Sequence, residues 1–343
     1  MKYKIRNKMT QRTTSSSSKS NWWFKIRDQV IDEDIKNEPN NAKHYHAKGE
    51  LMKFLGKAKL AKECFEKCLE LEPQNPEFYY SQGELYELLN ENIEALSIFK
   101  KSMDLASEPE EKKFILKYCS VLNKLEKYEE ALIELEKLIE KNPNDSIAWE
   151  IKGITLKKSN KFEDAMNAYN KSIEIESDNF NCFYNKGILY QKLNEGEKAK
   201  ECYKTANKCK KIFNNFAWVN LAAIFKNEKN TNETANCYRE ALKIDEFDFE
   251  IYLPFAYALE NLNKNEEAIE VLKKFEKMKK EIKDLNFYKL MGDLHKKMNL
   301  LDEANKYYSI ILEKDSSHKE SILEKTNSLN SLKKFEEALE LLN

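Results

Sequence analysis

The residues best suited to metal chemistry in this 343-residue chain lie near its start, where two histidines precede two cysteines. Cys64 and Cys68 are four residues apart, and this spacing on one helix would bring two thiolates to a single metal ion. His44 and His46 are only two residues apart, so on a helix their side chains point in different directions. The pattern therefore favours a small buried thiol at Cys68 over a zinc site, and no metal is expected.

The sequence contains no motif that is typical of a catalytic or nucleotide-binding site. GxGxxG, phosphate-loop, HExxH and GxSxG patterns are all missing. The seven cysteines form no close-set framework, which indicates reduced thiols in an intracellular, cytoplasmic protein. We therefore expect a protein that is not an enzyme, has no catalytic residue and uses no cofactor.

The overall charge gives no sign of a nucleic-acid or membrane protein. The net charge is −1, and the lysine-rich stretches at 204–211 and 273–283 are interpreted as solvated helix ends. Nucleic acid is accordingly not an expected partner, although a contact at these lysines stays open as a weaker alternative. No run of about 18 apolar residues occurs, so no membrane span is expected.

The first twenty residues, MKYKIRNKMTQRTTSSSSKS, are basic and rich in serine. They lack the apolar core of a signal peptide, so we expect a disordered tail over 1–20. An organelle transit peptide is the alternative, because the segment contains no acidic residue. Residues 21–38, NWWFKIRDQVIDEDIKNE, are expected to form a half-repeat helix that caps the following array, with Trp22 or Trp23 covering its face.

An internal repeat of about 34 residues accounts for most of the chain. If Ala42 is position 1, positions 4 and 24 are large and apolar or aromatic in every copy, and five of the seven glycines fall at position 8. Positions 4, 8 and 11 share one helical face, as do positions 20, 24 and 27. Position 20 is almost always alanine: Ala61, Ala95, Ala131, Ala165, Ala199, Thr234, Ala268, Ala304 and Ala338. Each repeat therefore predicts two amphipathic helices that must stack on neighbouring repeats to bury their apolar faces.

This pattern resembles the tetratricopeptide repeat, which combines a W-x2-L-G-x2-Y, A-x3-F and P signature with a 34-residue period. The resemblance implies an all-α solenoid, a right-handed superhelix of antiparallel helix pairs. Pro254, at position 6 of one repeat, predicts a late helix start or a local bend there. The resemblance covers residues 42–343 and predicts units at 42–75, 76–111, 112–145, 146–179, 180–214, 215–248, 249–284, 285–318 and an incomplete 319–343.

The family resemblance also implies how the protein works, namely as a scaffold for protein–protein interactions. In such arrays the first helices line a concave groove that binds a partner peptide or helix, and positions 2, 5, 9 and 12 should face it. An asparagine at position 6 bonds the peptide backbone in related arrays. The candidate groove residues are Ile147, Ile154, Tyr184, Asn185, Ile188, Gln191, Phe216, Val219, Asn220, Ala223, Lys226 and Tyr257. The alternative is that several of them, such as Ile154, Ile188 and Val219, pack against neighbouring helices instead.

Two further functions stay open. The chain stops at FEEALELLN without a polar capping helix, so Leu339, Leu341 and Leu342 are expected to be partly exposed. This end is interpreted as frayed, or as a surface through which the array forms a homo-oligomer. A recruiting or regulatory subunit of an enzyme complex is the other alternative. A clamp for a C-terminal carboxylate is rejected, because Glu50 and Glu84 would repel it.

Overall fold

The computed structural model describes residues 17–107, 111–209, 214–279 and 281–342, and every regular element in these ranges is an α-helix. Nineteen helices are present there: α1 Ser17–Asn37, α2 Ala42–Phe54, α3 Ala58–Leu71, α4 Pro76–Leu88, α5 Asn92–Leu105, α6 Glu111–Lys124, α7 Tyr128–Lys141, α8 Ser146–Lys158, α9 Phe162–Ile175, α10 Phe180–Lys192, α11 Gly196–Ala206, α12 Phe216–Asn227, α13 Thr231–Ile244, α14 Tyr252–Asn261, α15 Asn265–Met278, α16 Leu285–Lys297, α17 Leu301–Lys314, α18 Lys319–Ser331 and α19 Phe335–Glu340. From α2 onward they follow one another as consecutive pairs, so the predicted all-α fold is confirmed. None of the described helices is long and apolar enough to cross a membrane.

Each pair is closed by a tight turn that contains one residue in the left-handed backbone conformation. Gly56, with φ 75°, occupies this position in the first pair. The same register is held by Asn90, Glu126, Asn160, Asn194, Lys229, Asn263, Asn299 and Lys333. Glycine and asparagine adopt this conformation at low cost, whereas glutamate and lysine do so less readily. The turn therefore explains the recurring polar link between the two helices of a repeat.

Within a pair, the glycine at position 8 makes room for the aromatic ring at position 24. A Cβ atom added to Gly153 would lie 2.5 Å from Cε1 of Tyr169, and one added to Gly49 would lie 2.6 Å from Cε1 of Phe65. Both rings are fully buried. The same close approach joins Gly83 to Phe99 and Gly292 to Tyr308. The prediction that small residues at position 8 oppose bulky ones at position 24 is thus confirmed at these four positions.

In five of the nine described pairs, a side chain at position 4 ties the first helix to the segment that precedes it. Tyr45 donates its hydroxyl to the carbonyl of Pro39 at 3.0 Å, and Trp149 donates its indole N–H to the carbonyl of Pro143 at 2.9 Å. Tyr79, Tyr252 and Tyr288 donate in the same way to the carbonyl six residues earlier. The preference for tyrosine and tryptophan at position 4 therefore has a polar cause as well as an apolar one.

The chain divides into two compact units, with the boundary between Leu189 and Tyr190 inside α10. In the first unit, the cores of successive pairs form clusters such as the one around Phe99, Phe114 and Leu135. In the second unit, aromatic rings form much of the core, and the rings of Tyr252 and Phe275 lie 5.5 Å apart. The helix that contains Pro254, α14, begins only at Tyr252, so the predicted late start is confirmed.

The helix α1 differs from its prediction. It begins at Ser17, inside the predicted tail, while the rest of that tail, residues 1–16, lies outside the described residues. Trp22 and Trp23 were expected to cover the array, but they remain 63% and 49% exposed. The helical period instead turns Phe24, Ile31 and Ile35 toward the core of the first pair, so the prediction about the tryptophans is wrong.

Salt bridges support the packing of α1. Lys48 on α2 pairs with Asp28 at 2.7 Å and with Asp32 at 2.6 Å.

At the other end of the described chain, Leu339 and Leu342 are exposed and Leu341 is partly exposed, as expected from the sequence.

Candidate partner-binding surfaces

The candidate residues of the first unit lie on the first helices α8 and α10, and we call them the α8–α10 face: Ile147, Ile154, Tyr184, Asn185 and Ile188. Ile147 is 46% exposed, whereas the other four are half-buried. Ile154 packs against the core of its own pair, and the ring of Tyr184 stacks on that of Phe180 with the centroids 5.8 Å apart. The face therefore presents one exposed aliphatic side chain beside half-buried ones.

Hydrogen bonds between α8 and α10 organise the polar part of this face. Lys157 donates to Oδ1 of Asn185 at 2.6 Å, and Nδ2 of Asn185 donates to the carbonyl of Asn181 at 2.9 Å. Both ends of the Asn185 amide are thus engaged within the chain. This asparagine must exchange partners before it bonds a peptide backbone in the way that the family resemblance implies.

Glu150 is the residue of this face that the sequence-based selection missed. Its carboxylate accepts hydrogen bonds from Asn181 at 3.0 Å and Asn179 at 3.2 Å. Burial raises the pKa of Glu150 despite these two bonds, and the nearby Glu176 carboxylate adds to the increase. Within the described residues, no lysine or arginine forms a salt bridge with Glu150. Glu150 occupies position 5 of its repeat, which was expected to face the groove, so its position could have identified it. The candidates of this repeat were instead chosen for their apolar side chains.

The first helices of the earlier pairs carry acidic residues that are neutralised within the chain. Lys53 pairs with Glu50 at 2.5 Å and with Glu84 at 3.1 Å. Glu87 pairs with Lys117 at 2.5 Å and with Lys124 at 2.6 Å. Burial alone would raise the pKa of Glu87, but the hydrogen bonds from these two lysines outweigh it and hold the pKa below the ordinary value. Glu150 therefore differs from the acidic residues of the second repeat.

In the second unit, the candidates lie at the end of α10 and on α12 and α14, and we call them the α12–α14 face: Gln191, Phe216, Val219, Asn220, Ala223, Lys226 and Tyr257. Phe216 is 46% and Tyr257 39% exposed, and Ala223 and Lys226 are exposed as well. Val219 is half-buried. This face therefore offers two accessible aromatic rings and a lysine.

Two hydrogen bonds link the side-chain amides of Asn220 and Gln191 through the hydroxyl of the buried Tyr203. Asn220 donates to the hydroxyl of Tyr203 at 3.3 Å, and that hydroxyl donates to Oε1 of Gln191 at 2.5 Å. The structure thus brings Gln191 and Asn220 together, and the Asn220 amide, like that of Asn185, already has an internal partner.

The histidines and cysteines considered for metal chemistry have separate roles in packing. The imidazole of His44 hydrogen-bonds with Glu38 at 3.0 Å, and that of His46 with Ser81 at 2.8 Å. Cys68 donates its thiol to the carbonyl of Ala42, and burial raises its pKa to about 12. Across the described ranges, no three histidine, cysteine or acidic side chains are grouped so as to hold a metal ion.

A pocket of about 560 Å³ is lined by the second helices α7 and α9 and by the first helix α8. Leu132, Ile133 and Leu156 supply apolar walls, and the salt bridge between Lys152 and Glu136, 3.1 Å long, borders them. Sequence reasoning did not find this pocket, because it considered only positions 2, 5, 6, 9 and 12 of the first helices.

Comparison with known families decides what kind of array this is. A model described as "Tetratricopeptide repeat" matches residues 42–75, 180–210, 217–248 and 249–282, a second model with the same description matches 64–97, and one described as "TPR repeat" matches 153–194. Together these models match more than half of the chain. The chain belongs to the tetratricopeptide-repeat family. No curated protein matches it.

Solved structures of several other proteins are similar to parts of this chain. YrrB, described as a TPR protein with an unusual peptide-binding site, is 24% identical, with 53% of this chain and 93% of YrrB covered and a TM-score of 0.42. A MamA fragment from Desulfovibrio magneticus is 20% identical, with 49% and 94% covered and a TM-score of 0.43. PilF from Pseudomonas aeruginosa is 16% identical, with 63% and 96% covered and a TM-score of 0.45.

Proposed function

We propose that this tetratricopeptide-repeat protein is a non-enzymatic scaffold that binds an extended or helical segment of a partner protein on the first helices of its pairs. Family membership supports an interaction scaffold in general. The observation that carries the location is the exposure of large apolar side chains on first helices, namely Ile147 in the α8–α10 face and Phe216 and Tyr257 in the α12–α14 face. Accessible aliphatic and aromatic side chains are the usual anchors of such interfaces.

The chemistry of the α8–α10 face favours a partner segment that carries a lysine or arginine beside an apolar residue. Glu150 has no salt bridge within the described chain, and a cation from the partner would supply one. Ile147 and Tyr184 lie on the same two helices and would contact the neighbouring apolar side chain. Hydrogen bonds to charged groups are worth about 1.5–3 kcal/mol, so this contact would contribute substantially to affinity.

The α12–α14 face favours apolar or aromatic partner residues. Phe216 and Tyr257 supply rings with few rotatable bonds, so little side-chain entropy is lost when a partner packs on them. Lys226 at the edge of this face would pair with an acidic group of the partner. Asn220 would reach the partner's backbone only by exchanging its bond to Tyr203.

Affinity capture followed by mass spectrometry is the experiment that tests this function. The partner that wild-type protein captures should be lost or strongly reduced when Tyr184 and Phe216 are both replaced by alanine, while the circular dichroism signal for helix is unchanged. Ile93→Ser provides the matched control, because Ile93 is exposed on a second helix, α5. Unchanged capture by the Tyr184→Ala and Phe216→Ala double variant would contradict the proposed surfaces.

Glu150→Gln separates recognition from stability. Glutamine keeps an acceptor for the two asparagines but removes the buried charge, so the variant should be at least as stable at neutral pH. It should nevertheless bind the captured partner more weakly, and the loss should vanish when the partner's lysine or arginine is replaced by an uncharged residue. Equal binding by wild type and variant would rule out a cation at this position.

Self-association is a second candidate, favoured by the exposed apolar side chains of the last pair: Leu323, Phe335, Leu339 and Leu342. Sedimentation over a range of concentrations distinguishes the two functions. A concentration-independent monomer of 40.5 kDa would exclude the self-associating array. The cytoplasmic location remains a prediction, in keeping with seven cysteines that are all free thiols.

A further inference from the structure

Helix α1 has two apolar faces, of which only one is covered. Phe24, Ile31 and Ile35 pack on the core of the first helix pair. Trp22, Ile26 and Val30 follow one another at intervals of four residues and form a stripe on the other side of the helix, with Trp23 at its edge. These four side chains are the outer stripe of α1.

All four apolar side chains of the outer stripe are exposed. Ile26 is 38% and Val30 50% exposed, in addition to the two exposed tryptophans. Contiguous exposed apolar side chains indicate an interaction surface, whereas single ones need no explanation. Arg27 lies over the ring of Trp23, with its guanidinium carbon 5.3 Å from the ring centroid, so a cation borders the stripe directly.

Up to Arg27, every charged residue of the sequence is a cation. Lys2, Lys4, Arg6, Lys8, Arg12, Lys19, Lys25 and Arg27 all precede Asp28, the first acidic residue of the chain. Eight of the 58 cations and none of the 59 acidic residues thus fall in the first 27 positions, although the whole chain is nearly neutral. Basic clusters of this size that precede an amphipathic helix in the sequence are typical of proteins that bind anionic lipid.

We propose that the outer stripe of α1, together with Lys25 and Arg27 beside it, docks this protein on the surface of a membrane that contains anionic lipid. Tryptophan is favoured at the membrane–water interface, and its ring would lie at the level of the lipid headgroups. Ile26 and Val30 extend the apolar surface, which lipid burial requires and which stacking on nucleic-acid bases does not. The occupant is therefore a lipid surface rather than a nucleic acid.

The C-terminal half of α1 limits how deeply the helix can enter. Asp32, Glu33 and Asp34 follow the stripe, and an anionic surface would repel them. Asp28 and Asp32 also form salt bridges with Lys48, which hold this half of the helix against α2.

The membrane attachment is thus peripheral and reversible. It needs both the apolar stripe and the basic charge, because either signal alone binds weakly.

Vesicle binding by the full chain tests the proposal. The protein should sediment with vesicles of mixed phosphatidylcholine and phosphatidylserine and should remain in solution with vesicles of phosphatidylcholine alone. Replacing Trp22, Ile26 and Val30 by serine should weaken binding at least about tenfold, since three apolar side chains no longer enter the lipid. Lys25→Gln with Arg27→Gln should weaken it by about threefold to thirtyfold and reduce its dependence on salt.

Two controls keep the outcome interpretable. Leu339→Ser removes an apolar side chain that is 62% exposed, close to the 63% of Trp22, and should leave vesicle binding unchanged. Trp22→Phe with Trp23→Phe keeps the stripe apolar, so binding should persist while the blue shift of tryptophan emission on vesicles is lost.

Three results would overturn the proposal. The full chain could fail to bind the anionic vesicles, or the triple serine variant could bind them as well as wild type. The chain could also bind single-stranded DNA and not vesicles, which would assign the segment to nucleic acid instead.

Discussion

Replacing Gly153 by alanine tests the contact that sets the distance between the two helices of a pair. The added Cβ would lie 2.5 Å from Cε1 and 2.6 Å from Cδ1 of Tyr169. Ordinary van der Waals contact begins at 3.4 Å, so the ring must retreat by about 1 Å. Tyr169 is fully buried, which leaves the ring no solvent to move into. Overpacking of this kind costs about 1–3 kcal/mol.

The helix propensity of alanine acts in the opposite direction and must be separated from the clash. Alanine is favoured over glycine inside a helix by about 0.5–1 kcal/mol, so the single variant should lose only about 0–2.5 kcal/mol in total. A double-mutant cycle with Tyr169→Leu isolates the clash, because the propensity difference is the same on both sides of the cycle. The chain itself provides the model for the double variant, since Ala256 occupies position 8 where Leu272 occupies position 24.

Urea unfolding followed by circular dichroism gives the four free energies of unfolding. We expect a coupling free energy of about 1–3 kcal/mol, with the alanine tolerated when leucine replaces Tyr169. Gly196→Ala is the matched control for the substitution itself, because no atom lies within 4 Å of the added Cβ, and it should not destabilise the protein. A coupling energy of zero, or a Gly153→Ala variant as stable as Gly196→Ala, would refute the packing argument.

Five further substitutions, in three tests, probe the fold at other points. Tyr169→Phe should raise the free energy of unfolding by about 1 kcal/mol, because the buried Tyr169 hydroxyl has no hydrogen-bond partner in the described ranges. Tyr308→Phe should lower it by a similar amount, because the variant loses a 2.8 Å hydrogen bond to the carboxylate of Asp293. Urea midpoints of the two variants that shift in the same direction would contradict this expectation. Glu126→Gly, at φ 60°, should stabilise the protein by up to about 1 kcal/mol, whereas Asn160→Gly, at φ 62°, should change its melting temperature little. The pKa of Glu87 lies below its ordinary value of 4.5, so its contribution to stability is present above that pH and is lost as the pH falls through the lower folded value. Glu87→Gln should therefore be less stable than wild type at pH 7 and should lose less stability on acidification, and parallel pH profiles of the two proteins would refute the role of its salt bridges.

The fold could be predicted from the sequence because each position of the repeat occurs up to nine times, so its preferred residue type is visible. Positions 8 and 24 were assigned as packing positions from their residue types alone, and the contacts of Gly153 with Tyr169 and of Gly49 with Phe65 agree. The late start of the helix that contains Pro254 also followed from a local rule, namely that proline is tolerated in the first turn of a helix.

Other features depended on contacts that a repeat pattern does not encode. Helix α1 has no second copy in the chain, so nothing fixed which of its two apolar faces would be buried, and the wrong one was chosen. The position-4 hydrogen bonds, such as that from Tyr45 to Pro39, join residues of neighbouring repeats and become visible only in three dimensions.

For the candidate surfaces, the sequence identified which residues lie on the first helices but not what surrounds them. The internal bonds of Asn185 and Asn220 depend on Lys157 and Tyr203, which are 28 and 17 residues away. Glu150 was passed over because apolar side chains were selected in its repeat, and the sequence does not show that no described lysine or arginine pairs with it.

Site-specific photo-crosslinking to a captured partner tests the central claim most directly. A photoreactive amino acid at position 147 or 216, where Ile147 and Phe216 are exposed on first helices, should form a covalent adduct with the partner. The same probe at Ile93, which is exposed on a second helix, should form none. Adducts from position 93 together with none from positions 147 and 216 would contradict partner binding on the first helices.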